Sequence, residues 1–442
     1  MTLQPEIMQS VEQLGYRVTV GDVAAKSGLD INLAQRGLLA LASDVSGHLQ
    51  VAESGDIIYL FPDNFRTILR NKYWKLQLKE TWEKIWKVLF YIIRISFGII
   101  LVASIILILI AITVIIIGLN SSRDGNSNNS GSRGGSYRGG GFFFFPNFGD
   151  LFWIFYPNYG YNRYDHSSSR RSQSRDANEM NFLEAVFSFL FGDGNPNYNL
   201  EERRWKAIGT VIKNNKGSII AEQVAPYLDN IDRYNKENED YILPVLTRFN
   251  GNPEVSPNGE LIYHFPELQV TVQESTQKSI STYLRERLYK FSEAGSNKIM
   301  LAIGLGALNF ILALILGSFL KDPSIVAQFG GFIAFINSIY WLLLGYAMAF
   351  LGVPLIRYFV VQMRNGKIES RNSERKGRTE LLQDKTETIQ HKLEYASQFA
   401  NQAIIQQSDI AYTTEKDVLE QEIEQADKID QEWQKRLDAL DN

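Results

Sequence analysis

The chain contains no cysteine. That excludes disulfides, thiolate zinc sites, cysteine nucleophiles and cysteine-ligated iron–sulfur clusters. Histidine is nearly as scarce, with four copies at His48, His166, His264 and His391. None belongs to an HExxH, GxSxG or DxD-type arrangement, so each reads as a surface or turn residue. The net charge of −4 is small for 442 residues and selects no partner class. The start, MTLQPEIMQSVEQLGYRV, lacks a basic stretch followed by an apolar core, so no cleavable signal peptide is read there. No catalytic, metal or cofactor constellation emerges, and the expectation is a protein that is not an enzyme and needs no cofactor.

The apolar residues are unevenly spread, and that is the informative feature. Residues 95–119 carry no charge and are rich in Ile, Leu and Val. A bilayer core of about 30 Å takes about 20 helical residues, so this run is long enough to cross. Residues 299–320 and about 326–356 are two more such runs, joined by Lys321-Asp322-Pro323-Ser324 as a tight hairpin. Asn309 and Asn337 are polar within these spans and read as interhelical hydrogen-bonding groups. The absence of Asp, Glu, Lys and His at mid-span argues against an ion or proton transporter.

Basic residues flank all three runs: Arg66 to Lys87 before the first, Arg285 to Lys298 before the second, and Arg357 to Arg378 after the third. Trp74, Trp82 and Trp86 are interleaved with the first flank, as in a membrane-interface belt, and Arg357 marks the same boundary at the third. The positive-inside rule sends all three flanks to one side, which three single crossings cannot satisfy. Residues 142–156 (FFFFPNFGDLFWIFY) offer a surface-lying segment, a re-entrant turn or a fourth crossing, and FLEAVFSFLF at 182–191 reads as interfacial.

An internal repeat lies outside these runs. Gly55-Asp56-Ile57-Ile58-Tyr59-Leu60-Phe61-Pro62 returns, at an offset of 204, as Gly259-Glu260-Leu261-Ile262-Tyr263-His264-Phe265-Pro266. Each is a polar turn followed by a short apolar strand, a hairpin signature. Upstream, Leu38, Leu39, Ala42 and Val45 correspond to Ile242, Leu243, Leu246 and Phe249 at helical spacing. Three helices and a two-stranded wing resemble the winged-helix fold, over residues 4–65 and 200–268. Tyr59, Phe61, Tyr263 and Phe265 are candidate contact residues for a protein partner. Reading DNA would need cations to neutralise phosphates. Residues 1–64 hold three cations against eight carboxylates, and Arg248 faces Glu237, Glu239 and Asp240, so nucleic acid is not the favoured partner.

Residues 121–140 read as a Gly/Ser/Arg linker. Beyond Lys367, Leu382, Ile389, Leu393, Ala396 and Ala403 form one helical stripe. Leu419, Ile423, Ala426, Ile429, Trp433, Leu437 and Leu440 form another. These predict a helical hairpin or coiled coil, packed on the protein itself or serving as a docking or self-association arm through residues such as Trp433.

Residues 181–229, with FLEAVFSFLFGDG and AEQVAPYLD, resemble a family of uncharacterised membrane proteins of cyanobacteria and chloroplasts. The resemblance implies a thylakoid, envelope or plasma membrane of a photosynthetic organism, and the positive-inside rule puts both terminal regions on the cytoplasmic or stromal side. Plant members carry a label relating them to iron–sulfur cluster biosynthesis, for which this chain lacks the usual thiolate ligands. The reading is therefore a mainly α integral membrane protein with two winged-helix-like domains and three or four membrane segments. Its parts are 1–65 (first winged unit), 66–120 (basic helix and span), 121–180 (linker), 181–297 (interfacial helix and second winged unit), 298–357 (span hairpin) and 358–442 (helical tail). The partners are the bilayer, an unidentified protein and a second copy of the chain. The expected role is a scaffold or assembly factor, with a membrane-anchored nucleic-acid-binding regulator as the alternative.

Overall fold

The computed structural model describes residues 4–72, 74–123, 180–229, 231, 239–272, 279–384, 386–423, 426 and 433–434. The chain divides into two units, each assembled from distant segments. One comprises Met1–Lys79, Asn197–Leu288 and Gly366–Asn442, and the other Glu80–Pro196 and Tyr289–Asn365. The partition expected along the chain is thus replaced by an interleaved one: the helix at 182–191 belongs with the long apolar helices.

In the first unit the chain runs α1 (Pro5–Gln13), β1 (Arg17–Thr19), α2 (Val20–Ser27), α3 (Ile31–Val45), β2 (His48–Ala52), β3 (Ile57–Leu60) and α4 (Phe65–Lys72). Local chemistry sets these bounds. Thr19 and Asp22 close a reciprocal capping box at the start of α2, and Gly28 ends it at φ 73°. Asp30 caps α3 by accepting from the Asn32 and Leu33 N–H groups.

The second half of the repeat has the same plan. It runs α7 (Leu200–Asn214), β4 (Ser218–Ile219), the single turn α8 (Ala221–Val224), α9 (Leu243–Phe249), β5 (Asn252–Val255) and β6 (Leu261–His264). The equivalence extends to backbone detail. Ser46 and Asn250, 204 apart, both end a helix in the left-handed region, at φ 55° and 52°. Gly55 and Gly259 turn their hairpins at φ 88° and 85°, where a side chain would be strained. Phe61 N–H donates to Tyr16 O at 2.9 Å, and Phe265 N–H donates to Gly217 O at 2.8 Å. The second copy is thinner in its middle, where Pro244 at the start of α9 keeps that helix to seven residues.

Both copies contribute to one buried core that draws on Val11, Val23, Leu38, Tyr59 and Phe65 from the first and Ile212, Val224, Phe249, Tyr263 and Phe265 from the second. Their helices meet closely. A Cβ on Gly209 of α7 would lie 2.8 Å from Ala25 Cα of α2, so only glycine permits this approach. The remaining elements of the unit are α10 (Pro266–Gln269), β7 (Val270–Thr271), α13 (Glu387–Phe399), β8 (Ala403–Ile404) and β9 (Ile410–Thr413). The first copy's sheet has the order β1-β3-β2-β9, the second's β4-β6-β5, and β7 pairs with β8 in parallel.

This corrects the tail reading. Leu419 and Ile423 of the second stripe are also helical, but only the first stripe is packed: Ile389 and Ala396 lie against Ile220 and Ile262, with Leu382 and Leu393 at the edge. Ala403 is in β8, and β9 lies between the two stripes. In place of a helical hairpin, the chain adds strands to two sheets, because the open edges of β2 and β7 offer backbone partners that a polar helix would leave unused. Of the second stripe, Leu419, Ile423 and Trp433 are exposed. Ile429, Leu437 and Leu440 lie outside the described residues.

The second unit contains α5 (Trp74–Arg123, of which residues from Glu80 belong here), α6 (Phe182–Phe191), α11 (Ser296–Leu320) and α12 (Pro323–Gln383, to Asn365 here). Three of these helices are long and apolar enough to cross a membrane. Ser104 Oγ donates to Asn309 Oδ1 at 3.0 Å, and Asn309 is fully buried, so that amide does join two helices. Asn337 instead lies exposed on α12, because its side of the helix faces away from α5 and α11. Helical geometry is interrupted at Gly330 and Gly331. The linker at 124–179, including the aromatic run 142–156, lies outside the described residues.

Candidate functional site

Tyr59, Phe61, Tyr263 and Phe265 do not face solvent. Each is 3% exposed or less, and all four sit in the shared core. Tyr59 stacks on Phe61 with centroids 6.5 Å apart. Tyr263 donates its hydroxyl to Glu239 Oε2 at 2.9 Å. Burial, reinforced by the Glu239 charge, raises that phenol's pKa. The expectation of an external contact gives way to a packing role: alternate residues of a strand face opposite sides, and here the aromatic side is the inner one. Trp82 and Trp86 are more than half exposed, whereas Trp74 is on the same helix with its side chain outside the described residues. Trp433 is exposed. Arg357 is only half-exposed and is engaged within its own unit, donating through Nη1 to Ser188 O at 3.0 Å.

What the first unit builds instead is a joint between the two copies and the C-terminal segments. Three polar ties run through it. In the first, buried Asp22 of α2 pairs with Lys213 of α7 and accepts from Thr271 Oγ1 at 2.9 Å. Arg248 of α9 donates to Gly28 O at 2.8 Å and lies 4.3 Å from the Trp205 ring centroid. The one cation on that helix is therefore spent on the other copy, and a phosphate would have to compete for it.

The second tie is a buried ion network. Arg375 is 1% exposed and donates to Asp229 Oδ1 and, at 2.9 Å, to Glu286 Oε1. Arg371 grips Glu286 with two parallel bonds of 2.7 and 2.6 Å, and Arg204 reaches Asp229 from α7. Arg378 donates to Leu228 O at 2.7 Å. Burial alone would raise the Glu286 pKa, but the hydrogen bonds and charges of Arg371 and Arg375 outweigh it and the pKa is lowered. Fork geometry makes arginine suited to this double grip.

The third tie is Lys392 of α13, which pairs with Glu222 at 2.8 Å and Glu239 at 2.5 Å. Burial lowers the lysine pKa, but the hydrogen bonds and charges of the two carboxylates outweigh it and the net shift is upward.

None of these groups was singled out as a site residue from the sequence. Arg371, Arg375 and Arg378 were legible only as a positive flank, although their spacing of four and three places them on one helix face. Asp229 ends the AEQVAPYLD segment, but nothing nearby in sequence identifies its partner. Among the described residues no group of three or more His, Cys, Asp or Glu could hold a metal.

The molecule defined so far is a helical protein with three membrane-length helices and a separate α/β unit built on an internal repeat. The chain is 38% identical over 447 residues to an uncharacterised chloroplastic protein of Arabidopsis thaliana, covering 98% of this chain and 82% of that protein. It belongs to that protein's family. No family model and no solved structure matches it.

Proposed function

We propose that the protein is a membrane-anchored scaffold or assembly factor of a photosynthetic membrane. Its two repeats act as a fused pair of winged-helix-like modules, presented with the C-terminal arm as one head. The observation that carries this reading is the single core filled by both copies, on which β8, β9 and α13 also dock. Two domains that share a core must stand on the same side of a bilayer. The chain between them then crosses an even number of times, which reconciles the three basic flanks with the positive-inside rule. The exposed Leu419, Ile423 and Trp433 are the arm's apolar side chains open to a partner protein. The chloroplastic relative supports a chloroplast-type membrane.

The test exploits the absence of cysteine. Single cysteines at exposed Ser54, Asn258 and Ser408 are probed with an impermeant thiol reagent in sealed, oriented membranes. Equal labelling at all three is expected; opposite labelling of Ser54 and Asn258 refutes the fused head. A salt-titrated DNA-binding assay addresses the alternative: a steep fall of affinity with salt would favour a nucleic-acid regulator.

A further inference from the structure

The second unit holds a charge cluster that the scaffold reading does not use. Three cations sit at the charged ends of the three apolar stretches: Arg94 just before residues 95–119, Lys298 just before Ile299, and Arg357 just after Ile356. The short helix α6 and the residues flanking it gather all three. Lys298 Nζ donates to Met180 O at 2.7 Å, Arg94 Nη2 to Asp193 Oδ1 at 2.9 Å, and Arg357 Nη1 to Ser188 O at 3.0 Å. The three chain ends therefore lie at one level of the helix bundle.

The only carboxylate these hydrogen bonds bring in is Asp193, and it is heavily committed. It accepts from Ser188 Oγ at 2.5 Å and from the Glu293 N–H at 2.9 Å, as well as from Arg94. The guanidinium groups remain short of acceptors. Nε of Arg94, and Nε and Nη2 of Arg357, are buried without a hydrogen-bond partner. Arg357 rests on the Phe291 ring, 4.2 Å from its centroid, which attracts its charge but accepts no N–H in the guanidinium plane. A buried donor without an acceptor is costly, more so when charged. The loop beside the arginines is bare: glycines at 192 and 194 adopt φ 80° and 95°, and a Cβ on Gly194 would meet nothing within 4 Å.

We propose that Arg94, Arg357 and Lys298 form a site for the anionic head group of a membrane lipid, a phosphodiester or a sulfonate, seated against the Ser188–Gly194 turn. An anion of this class carries the several acceptor oxygens that the orphan donors lack. A basic pocket between helices at the membrane boundary is where such a head group resides. The proposal rests on the three apolar helices being membrane spans, and alkaline extraction of membranes checks that separately, since it depends on neither arginine.

The experiment uses the full chain, purified in detergent and stripped of lipid. Phosphatidylglycerol, phosphatidylcholine and inorganic phosphate are added in turn while thermal unfolding and native mass spectra are recorded. The expected result is a rise in melting temperature and one retained lipid per chain with phosphatidylglycerol alone. Arg357→Gln and Arg94→Gln should each weaken that binding by about tenfold or more, the scale of a lost charge-assisted hydrogen bond. An equal shift with phosphatidylcholine overturns the proposal, as does an equal shift with inorganic phosphate, which would assign the site to a free anion. Undiminished binding by both variants also overturns it. If neither variant folds, the wild-type spectra decide: one phosphatidylglycerol that phosphatidylcholine does not displace supports the site, and exchange between the two refutes it.

Discussion

The two copies of the repeat share a plan but are held by different forces. The first is extended by strand pairing: β9 adds to β2, with Thr414 N–H donating to Leu49 O and Leu49 N–H donating to the Thr414 side-chain Oγ1, both at 2.9 Å. Among the described residues the second has no fourth strand, and its position equivalent to Leu49 is Pro253. Proline has no N–H, so it blunts the edge of β5 at the place where an added strand would bond. Side chains replace the backbone there: Lys392, Arg375 and Arg371 grip carboxylates of the second copy or of the segment just after it. The two copies thus carry two kinds of attachment, and the proline at the matching position closes the first kind to the second copy.

The largest break in this contrast is expected at the ion network. Arg375→Ala leaves Glu286 and Asp229 without their buried partner and should cost about 3–5 kcal/mol, measured by denaturant unfolding of the full chain. A cost under about 1 kcal/mol would mean that the network is solvated and the second copy is held otherwise.

Overpacking the joint comes next. Gly209→Val drives a side chain into Ala25 and should cost about 1–3 kcal/mol, and the same change at exposed Gly366 of α12, where a Cβ meets nothing within 4 Å, should leave the joint untouched. Equal effects at both sites would show that the close approach of α2 and α7 is not what ties the copies.

Protonation offers a graded version of the first break. The Glu286 pKa is lower in the folded chain than in the unfolded one, so its contribution is present above the unfolded carboxylate range and is lost as pH falls through the lowered value. The Lys392 pKa is raised, so its contribution is complete below the ordinary lysine value and fades only as pH climbs above it. Acid should therefore loosen the second copy while β9 keeps its protection, which hydrogen exchange at Leu49 and Val51 would report. Simultaneous loss at both copies would contradict separate attachments.

The smallest effect is the most specific. Leu49→Pro should free β9, with faster exchange and proteolysis confined to about residues 403–414, for roughly 1–2 kcal/mol or less. The reciprocal Pro253→Leu should leave stability nearly unchanged. If Leu49→Pro leaves β9 protected, the proline account of the asymmetry fails.

Much of the plan is legible in the residues alone. Gly55 and Gly259, with their apolar strands, announced both hairpins, because a tight turn and a period of two are local properties. The long uncharged runs announced the three apolar helices for the same reason. The tail was misread where local and distant preferences compete: Ala403 fits a helical stripe, yet it joins a strand because β7 offers an unpaired edge. The aromatic residues of the hairpins were placed outside because alternation marks two sides without saying which one meets the other copy.

By itself the sequence determined most elements ahead of the tail, the duplication and the presence of membrane-length helices, all of which follow from residue type and spacing along the chain. Only the tertiary structure decided that the two copies fill one core, that Asp229, Glu286 and Arg375 meet, and that a strand from the far end of the chain completes the first sheet. Those contacts join residues separated by 89 to more than 350 positions. Which of many carboxylates an arginine meets depends on three-dimensional burial, where an unpaired charge is intolerable, and no pattern of neighbours in the chain encodes that choice.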